Sequence, residues 1–424
     1  MTHDLKLELE NSHILTSRQL TLLRDIASLS ASLQMPAYLV GGFVRDYFLE
    51  KRVNDLDVVI EGDAIQFGKA LVKKFGGKLT PHTKFQTAIW DIPTTFNVEL
   101  PALSLPKVST LDLITARSET YSRPGALPAV TPSTIDDDLR RRDFTINAMA
   151  VRLDGDHFGE LLDPFNGQSD LEQRIIRVLH PLSFVDDPTR VFRAVRYEQR
   201  YSFILHPSSL ILVNSESLAV LQTLSGERIR HELDLIFEED NSHQMIVRLG
   251  ELDVFKWIHP ELHAFNGDYS DFLDMDASLD IPASRTTMGY MLWLMDLSEA
   301  AVLSIAQRLG FTSDLTHAVW AASQLKKSLP FLVNSKPSDW AFALEKLPLL
   351  SIYAVYLVCG ENALLDYLSL WRHVKAHTTG DDLKVRGLAP GPRYGEILMK
   401  LRAAWLDGEV KNKKEEEELL NRLL

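Results

Sequence analysis

The chain has 424 residues, 45% of them hydrophobic and 24% charged, and a formal net charge of −13. At ~150 residues per domain this length predicts a multidomain globular protein, and the composition excludes a small disulfide-stabilised peptide or a disordered chain. A single cysteine, Cys359, excludes an internal disulfide framework and a cysteine-built zinc site, and it predicts a reducing, cytoplasmic location.

Two features argue against secretion and against a membrane span. The amino terminus is acidic and has no apolar stretch behind it, unlike a signal peptide. The most apolar run, Leu347 to Cys359, is shorter than the ~20 residues of a membrane span and includes tyrosine and serine, so it predicts a buried helix.

The acidic total charge hides an uneven distribution. Most charged residues within 271–320 are acidic, whereas arginines are concentrated in the middle of the chain. These arginines are Arg140, Arg141, Arg142, Arg174, Arg177, Arg190, Arg193, Arg196 and Arg200. A local basic surface on an acidic body is compatible with binding to RNA phosphates.

Secondary-structure signals change in character along the chain. Helical spacing of apolar residues predicts a helix over Ser17–Leu33, then a strand over Ala37–Val40 and a helix over Phe43–Leu49. Further strands are predicted over Leu56–Ile60, Thr87–Ile92 and Leu111–Thr115. The first 165 residues therefore predict an α/β or α+β domain, and helical periodicity from residue 169 onward predicts an all-helical remainder. The charged run 411–418 is predicted to be a solvated helix face.

The densest cluster of functional residue types lies within residues 38–60, in the order strand, Gly41-Gly42, helix, strand. Glycines at a strand-to-helix turn let backbone amides approach a phosphate closely. Asp55 and Asp57 are two residues apart on a strand, so they share a face and could hold divalent metal ions, for which oxygen ligands favour magnesium. Either piece alone is more often an ordinary turn or strand edge, but the combination predicts a metal-dependent phosphate site.

Two residues of a neighbouring predicted strand could extend this site. Asp112 would supply a third carboxylate for two-metal phosphoryl transfer, and the alternative is an exposed aspartate at a strand edge. Arg117, at the end of that strand, could reach a phosphate, with a similar alternative.

The segment from Asp138 to Ala150 joins three arginines to an apolar half. The arginines cannot all be buried and the apolar half must be packed, so the segment is predicted to line a charged cleft. Its arginine, aspartate, threonine and asparagine side chains offer the mixed donors and acceptors that a ribose requires.

The segment from Ser183 to Tyr201 begins a helix at a proline preceded by aspartates. Asp187 and Arg190 share a face three residues apart and place an acceptor beside a donor. This pair is complementary to the base edge that cytosine and adenine share and that uracil and guanine reverse. The alternative is a helix-capping aspartate with a salt bridge to Arg190. Arginines further along the helix are more often a solvated or salt-bridged face.

A histidine pair elsewhere is not predicted to bind metal. His373 and His377 have the spacing of ligands on one helix face, but no glutamate follows His373 in the metalloprotease arrangement.

These motifs resemble the class II tRNA nucleotidyltransferases and bacterial poly(A) polymerases of the polymerase-β superfamily. The matching segments are GGFVRD with DLD, RRDFTINA, DPFNGQSDL (163–171), DDPTRVFRAVR and GERIRHEL (226–233), and they occur in family order over about residues 38–233. The stretch 387–410 also resembles the tail of longer bacterial members. One departure is Asp186-Asp187, where many members have Glu-Asp.

The resemblance implies an α+β fold, with a polymerase-β-like mixed-sheet head followed by an all-helical neck, body and tail. The expected boundaries are 1–165 for the head, 166–240 for the neck and 241–424 for the body and tail that bind tRNA. A flexible loop that lets complete enzymes switch from C to A is expected between residues 60 and 140.

The resemblance also implies roles for individual residues. Mg²⁺ would be held by Asp55 and Asp57. The implied nucleotide-binding residues are Gly41, Gly42, Arg45, Arg117, Arg142, Asp143, Asn147, Asp187 and Arg190. RNA contacts are implied for Arg193 and Arg196.

The leading functional prediction is a tRNA nucleotidyltransferase that adds CMP and AMP from CTP and ATP to build the 3′ CCA end, without a membrane or a stable protein partner. An A-only or CC-only enzyme, or a poly(A) polymerase, is the alternative with the same chemistry. A nucleotide-sugar glycosyltransferase also uses an Asp-x-Asp pair, but it has no need for the glycine pair or RRDFTINA. A non-catalytic RNA-binding protein has no need for two strand carboxylates.

Overall fold

The structure is a computed structural model that describes residues 14–51, 56–93, 110–265, 279–282 and 284–424. The chain divides into two compact units, residues 1–224 and residues 225–424. Within the described residues, all strands belong to the first unit and the second unit is helical.

A mixed seven-stranded sheet forms the centre of the first unit, in the order β3-β4-β5-β2-β1-β8-β9. Its strands are β1 Ala37–Val40, β2 Asp57–Ile60, β3 Lys78–His82, β4 Thr87–Asp91, β5 Thr110–Thr115, β8 Ala150–Arg152 and β9 Leu161–Leu162. Neighbouring strands are antiparallel except β2 and β5, which are parallel. All four residues of β1 are buried, as expected for a strand in the middle of a covered sheet.

Two smaller β structures accompany this sheet. An antiparallel ribbon pairs β6 Arg117–Thr120 with β7 Ala129–Pro132, directly after β5. A short parallel pair joins β10 Ile175–Ile176 to β11 Ile204–Leu205.

Side chains cap the start of some helices of the first unit. The carboxylate of Asp63 accepts hydrogen bonds from the backbone amides of Ile65 and Gln66 at the start of a helix that packs on the sheet. The helices are α1 Ser17–Leu33, α2 Gly42–Phe48, α3 Ala64–Phe75, α4 Ile135–Arg140, α5 Gly167–Glu172, α6 Ser183–Asp186, α7 Thr189–Tyr201, α8 Pro207–Leu210 and α9 Ser215–Ala219.

The second unit buries its own apolar core between helices. These are α10 Gly226–Phe237, α11 Ser242–Glu251, α12 Arg285–Leu294, α13 Glu299–Leu309, α14 Ser313–Leu332, α15 Pro337–Leu344, α16 Leu349–Cys359, α17 Asn362–Ser369, α18 Gly380–Val385, α19 Pro392–Leu406 and α20 Lys413–Leu423. The apolar run at α16 is a buried helix, with Ile352, Ala354 and Val355 fully buried. No described helix has both the length and the apolar character needed to cross a membrane.

The predicted elements of the head are confirmed, and the α+β fold class with them. The helix Ser17–Leu33 and the strand Ala37–Val40 have the predicted bounds. The three other predicted strands differ by one residue at one end, and the helix predicted over Phe43–Leu49 differs by one residue at both ends. The sequence does not predict β3, because this edge strand is largely exposed and lacks apolar alternation. It also does not predict the β6–β7 ribbon or the short strands β8 and β9. The prediction of an all-helical remainder from residue 169 onward is wrong at the short β10–β11 pair.

The prediction that residues 411–418 form a solvated helix face is wrong at Glu416. This side chain is only 2% exposed. Its carboxylate accepts hydrogen bonds from the backbone amides of His377 and Thr378 and from the indole of Trp405. A buried carboxylate is stable here because donors surround it, and a run of charges in sequence does not reveal such donors.

Candidate active site

The parallel pairing of β2 and β5 brings two carboxylates together. Asp57, the first residue of β2, lies in register with Asp112 on β5. Residues in register on adjacent strands are ~4.8 Å apart and point to the same face of the sheet. Asp57 is half-buried and Asp112 is exposed, so both can face a ligand from solvent. Asp55, the other member of the predicted pair, lies outside the described residues.

The glycine turn connects β1 to α2, as predicted. Gly41 has φ +60° and ψ −116°, a conformation that residues with a side chain rarely adopt. A Cβ atom built on Gly41 would lie 2.6 Å from Nη1 of Arg142, so the turn and the RRDFTINA segment approach closely. The helix that follows has seven residues.

The predicted ribose residues form a connected hydrogen-bond network. Asp143 accepts from the backbone amide of Phe144 at 2.8 Å and from Nδ2 of Asn147 at 2.9 Å, and it pairs with Nη2 of Arg193 at 2.6 Å. Burial alone would raise the pKa of Asp143, but Arg193 and these donors hold it below the usual value. Asp143 is therefore a fixed carboxylate. Arg142 donates to the Asp138 carboxylate at 2.9 Å and to the Asn147 carbonyl oxygen at 3.4 Å.

Arg45 is buried beneath the glycine turn and is only 6% exposed. Its Nη1 donates to Oδ1 of Asn147 at 2.8 Å, and its other nitrogens form two hydrogen bonds with the Asp46 carboxylate. The guanidinium therefore links the GGFVRD motif to the RRDFTINA motif.

Several residues that the sequence analysis did not single out support these motifs. Asp138 is fully buried and holds both Arg141 and Arg142. Glu119, on the β6–β7 ribbon, accepts hydrogen bonds from Arg141 at 3.0 Å and from Arg117 at 3.2 Å. Burial and the charge of Arg141 lower the pKa of Arg117. The only sequence signal for this ribbon is the alternation of Arg117, Glu119 and Tyr121 on one strand face.

We expect Asp138→Asn to destabilise the first unit by about 3–5 kcal/mol at neutral pH, because it leaves two largely buried guanidinium groups without their shared carboxylate. Burial would raise the pKa of Asp138, but Arg142 and Arg141 lower it below the usual value. The contribution of this carboxylate is therefore present above the unfolded-state pKa of ~3.9 and lost as the pH falls through the lower folded-state pKa. Urea unfolding of wild type and variant at pH 7 and pH 3 measures the difference, with the exposed Asp156→Asn as control. A stability difference that is the same at both pH values would contradict this role.

The two residues of the predicted base-reading pair are held differently. Arg190 is 6% exposed, and its guanidinium donates to Oγ of Ser183 at 2.7 Å and to the carbonyl oxygen of Arg141 at 2.9 Å. Asp187 accepts from the backbone amide of Thr189 at 3.2 Å and from its hydroxyl at 2.7 Å. The capping contact of the alternative interpretation is thus present at the start of α7.

Tyr121 lies close to this pair. Its hydroxyl donates to Glu119 at 3.2 Å. Burial raises the pKa of Tyr121 to about 12, while the charge of Arg190 lowers this pKa and the charges of Glu119 and Asp187 raise it. Tyr121 therefore keeps its proton at neutral pH.

The two predicted RNA-contacting arginines are in different environments. Arg193 keeps 38% of its side chain exposed while it pairs with Asp143. Arg196 is 9% exposed and lies 6.0 Å above the ring of Tyr197.

The DPFNGQSDL segment packs against the RRDFTINA segment and is hydrogen-bonded to it. Gly167 packs so closely that a Cβ atom there would lie 2.3 Å from the carbonyl oxygen of Thr145. The Asp163 carboxylate accepts from the amides of Gly167 and Gln168, and Asp170 accepts from the Thr145 hydroxyl at 2.6 Å. Glycine is required at residue 167 by this contact.

Among the described residues, no group of three or more histidine, cysteine, aspartate or glutamate side chains has the geometry of a metal site. The described donors at the sheet, Asp57 and Asp112, are oxygen ligands, which suit Mg²⁺.

Known proteins resemble this chain over most of its length. The poly(A) polymerase head-domain family matches residues 37–177, and the family named as a probable RNA- and SrmB-binding site of polymerase A matches residues 214–266. An A-adding tRNA nucleotidyltransferase of Halalkalibacterium halodurans is 33% identical over 95% of this chain and 92% of its own length. The A-adding enzyme of Geobacter sulfurreducens is 34% identical over 95% of this chain, which spans only 47% of that relative. A CC-adding enzyme of the same organism is 26% identical over 93% of this chain and 94% of its own length.

Solved structures extend the similarity to the whole fold. An apo structure of a CCA-adding enzyme superposes with a TM-score of 0.84 at 29% identity and covers all of both chains. Related CCA-adding enzyme structures at 28–29% identity contain tRNA, CTP or ATP. These similarities show that the chain belongs to the class II tRNA nucleotidyltransferase family, which shares its head domain with bacterial poly(A) polymerases.

Proposed function

We propose that this protein transfers a nucleotidyl group from a nucleoside triphosphate, ATP or CTP, to the 3′ end of tRNA and releases pyrophosphate. The observation that carries the proposal is the register of Asp57 with Asp112 in a sheet whose neighbouring strand leads into the Gly41 turn. This arrangement combines carboxylates that can ligate metal ions with a glycine turn whose backbone amides a phosphate can approach closely. The family and the tRNA, CTP and ATP complexes of its relatives support the same reaction.

In this proposal Asp55, Asp57 and Asp112 hold Mg²⁺. When bound, the ions would activate the attacking hydroxyl and neutralise the leaving pyrophosphate. The oxygen-only donors of the described strands fit such ions. The 3′ hydroxyl of the tRNA attacks the α-phosphorus, the bond to pyrophosphate breaks, and no template strand is needed.

Each of the other motifs holds one part of the nucleotide. The Gly41-Gly42 turn and Arg117 face the triphosphate, while Arg142, Asp143 and Asn147 hold the ribose through the network that Arg45 stabilises. Asp187 and Arg190 read the base. Of the two proposed RNA-contacting arginines, Arg193 is the more exposed and faces RNA phosphate, and Arg196, 9% exposed, is the second contact.

The proposed domain boundaries are those that the resemblance to the family implies. We propose residues 1–165 as the catalytic head, 166–240 as the neck that reads the base, and 241–424 as the body and tail that bind tRNA.

The product is either a full CCA end, as the sequence analysis predicts, or a single terminal A. The second product is favoured by identity over nearly the whole chain, since A-adding relatives are 33–34% identical over 95% of this chain whereas a CC-adding relative is 26% identical over 93% of it. We therefore propose terminal A addition as the main activity.

Extension of defined tRNA ends tests the proposal directly. Purified protein is incubated with tRNA ending at the discriminator base, at C, at CC and at CCA, with each nucleotide separately. We expect AMP addition to the CC end and no extension of CCA. CTP incorporation at the first two ends would instead establish full CCA synthesis, and continued growth beyond CCA would establish polyadenylation. Absence of incorporation at every end would overturn the proposed function.

A further inference from the structure

An arginine of the glycine-turn helix lies among aromatic rings of the base-reading helix. The guanidinium carbon of Arg45 is 5.2 Å from the ring centre of Tyr197 and 5.0 Å from that of Tyr201. The two rings stack on each other with centroids 5.9 Å apart. A desolvated guanidinium in contact with aromatic rings is held more strongly than one in water.

Tyr201 adds a hydrogen bond to this stacking contact. Its hydroxyl donates to Oδ1 of Asp46 at 3.2 Å, and Asp46 also accepts from Arg45. Burial, opposed by Arg45, raises the pKa of Tyr201 to about 12, so the hydroxyl keeps its proton at neutral pH.

These contacts form a closed ring of interactions that joins α7 to the glycine-turn and ribose segments. From Tyr201 on α7 the path runs to Arg45, then to Asn147 and Asp143, and returns to α7 at Arg193. The helix therefore holds the glycine-turn and ribose segments at two points eight residues apart, which is about 12 Å along a helix axis. Arg190, which we propose reads the base, lies on the same helix.

We propose that Tyr201 is a positioning residue for nucleotide transfer, which fixes the distance between the base-reading helix and the segments that hold ribose and triphosphate. It does so through Arg45 and Asp46 and touches no reacting atom. The inference rests on the proposed function, because it assigns the two ends of the ring to parts of a bound nucleotide.

Loss of this ring of contacts should lower the rate of nucleotide transfer more than the affinity for the nucleotide. The nucleotide is held at its base, ribose and phosphates, so a looser connection among these points still permits binding. The α-phosphorus, however, would no longer be held in line with the attacking hydroxyl, and a misplacement of ~1 Å can reduce a rate by about 100-fold.

The test compares Tyr201→Leu with Tyr201→Phe. The leucine variant loses the ring contacts with Arg45 and Lys51 and the hydrogen bonds of the hydroxyl with Asp46 and Arg200, whereas the phenylalanine variant loses only the hydrogen bonds. We expect Tyr201→Leu to lower kcat for the accepted nucleotide by about 10- to 100-fold, with KM changed by less than about threefold. Tyr201→Phe should keep at least about a third of wild-type kcat because the stacking contact remains.

A matched control separates positioning from loss of stability. Tyr367 is a buried tyrosine of the helical second unit, 4% exposed, and Tyr367→Leu removes similar apolar area away from the ring. All variants are assayed well below their melting temperatures and at saturating tRNA, because residue 367 lies in the part of the chain proposed to bind tRNA. Unchanged kcat in Tyr201→Leu, or an equal loss of kcat in Tyr367→Leu, would overturn the positioning role.

Amide hydrogen exchange gives a readout that does not depend on catalysis. If Tyr201 holds the ring, Tyr201→Leu should accelerate exchange at the amide of Phe144, which donates to Asp143, and Tyr201→Phe should not. Unaltered exchange at Phe144 in the leucine variant counts against the ring. An inactive wild-type protein with this exchange pattern would refute the proposed function and leave the ring intact.

Discussion

Replacement of Asp57 by asparagine is expected to lower the rate of nucleotide addition by at least about a thousandfold. Asp57 lies in register with Asp112 at the end of the central sheet, and the pair of carboxylates is the proposed metal site. A bound metal ion contributes several kcal/mol of charge stabilisation in the transition state, and each 1.36 kcal/mol is a factor of about ten in rate. Single-turnover extension of the tRNA end identified by the extension assay measures the loss.

The fold of the Asp57→Asn variant should be unaffected. Asp57 is half-buried beside a second carboxylate, so removal of one charge relieves repulsion and leaves the buried strand residues Val58 to Ile60 in place. The melting temperature and the affinity for tRNA should therefore match wild type. Asp136→Asn, at an exposed position in the first turn of α4, is the control and should keep full activity. Near-normal turnover in Asp57→Asn would defeat the metal assignment.

The second prediction concerns the choice of base. Asp187→Ala should reduce discrimination against UTP and GTP by about 5- to 150-fold, because one unmet buried hydrogen bond corresponds to about 1–3 kcal/mol. The affinity for triphosphate should change less, since the glycine turn holds it. Steady-state comparison of kcat/KM for all four nucleotides on one tRNA end measures the discrimination.

The capping contact of Asp187 requires a second variant. Because Asp187 accepts hydrogen bonds from Thr189 at the start of α7, Asp187→Ala should also lower stability by about 1 kcal/mol. Asp187→Asn keeps an oxygen for the cap but loses the negative charge and gains a donor, so it should retain stability while its discrimination changes. If both variants keep wild-type nucleotide preference and only the alanine variant melts earlier, Asp187 is a helix cap alone.

The sequence determined the local order of the site. Alternating and helical patterns fixed β1, the glycine turn, α2 and β2, because the periodicity of a strand or helix shows which side chains share a face. The bounds of α1 and β1 follow from this local information. The order of the motifs also identified the family, since glycine, carboxylate and arginine spacings are local properties of the chain.

The tertiary structure decided which distant residues meet. The pairing of Asp57 with Asp112 depends on the parallel register of β2 and β5, which are separated by 49 residues. Patterns within one segment carry no information about such a register. The same holds for Glu416, whose charged neighbours in sequence suggested solvent but whose carboxylate is surrounded by donors from other segments.

The contacts around Arg45 show most clearly which features the sequence predicts and which depend on tertiary packing. The spacing of Arg193, Arg196 and Arg200 favours a solvated or salt-bridged helix face, and the sequence supplied no reason to connect Tyr201 with the glycine turn. In the folded chain α7 packs beside α2. Because a buried charge without a polar or aromatic partner is costly, these guanidinium groups contact side-chain oxygens, a carbonyl oxygen or an aromatic ring. The sequence thus determined the family and the chemical groups of the site, while packing of distant segments determined which of these groups are held, and by what, because desolvation energy depends on every neighbour in space.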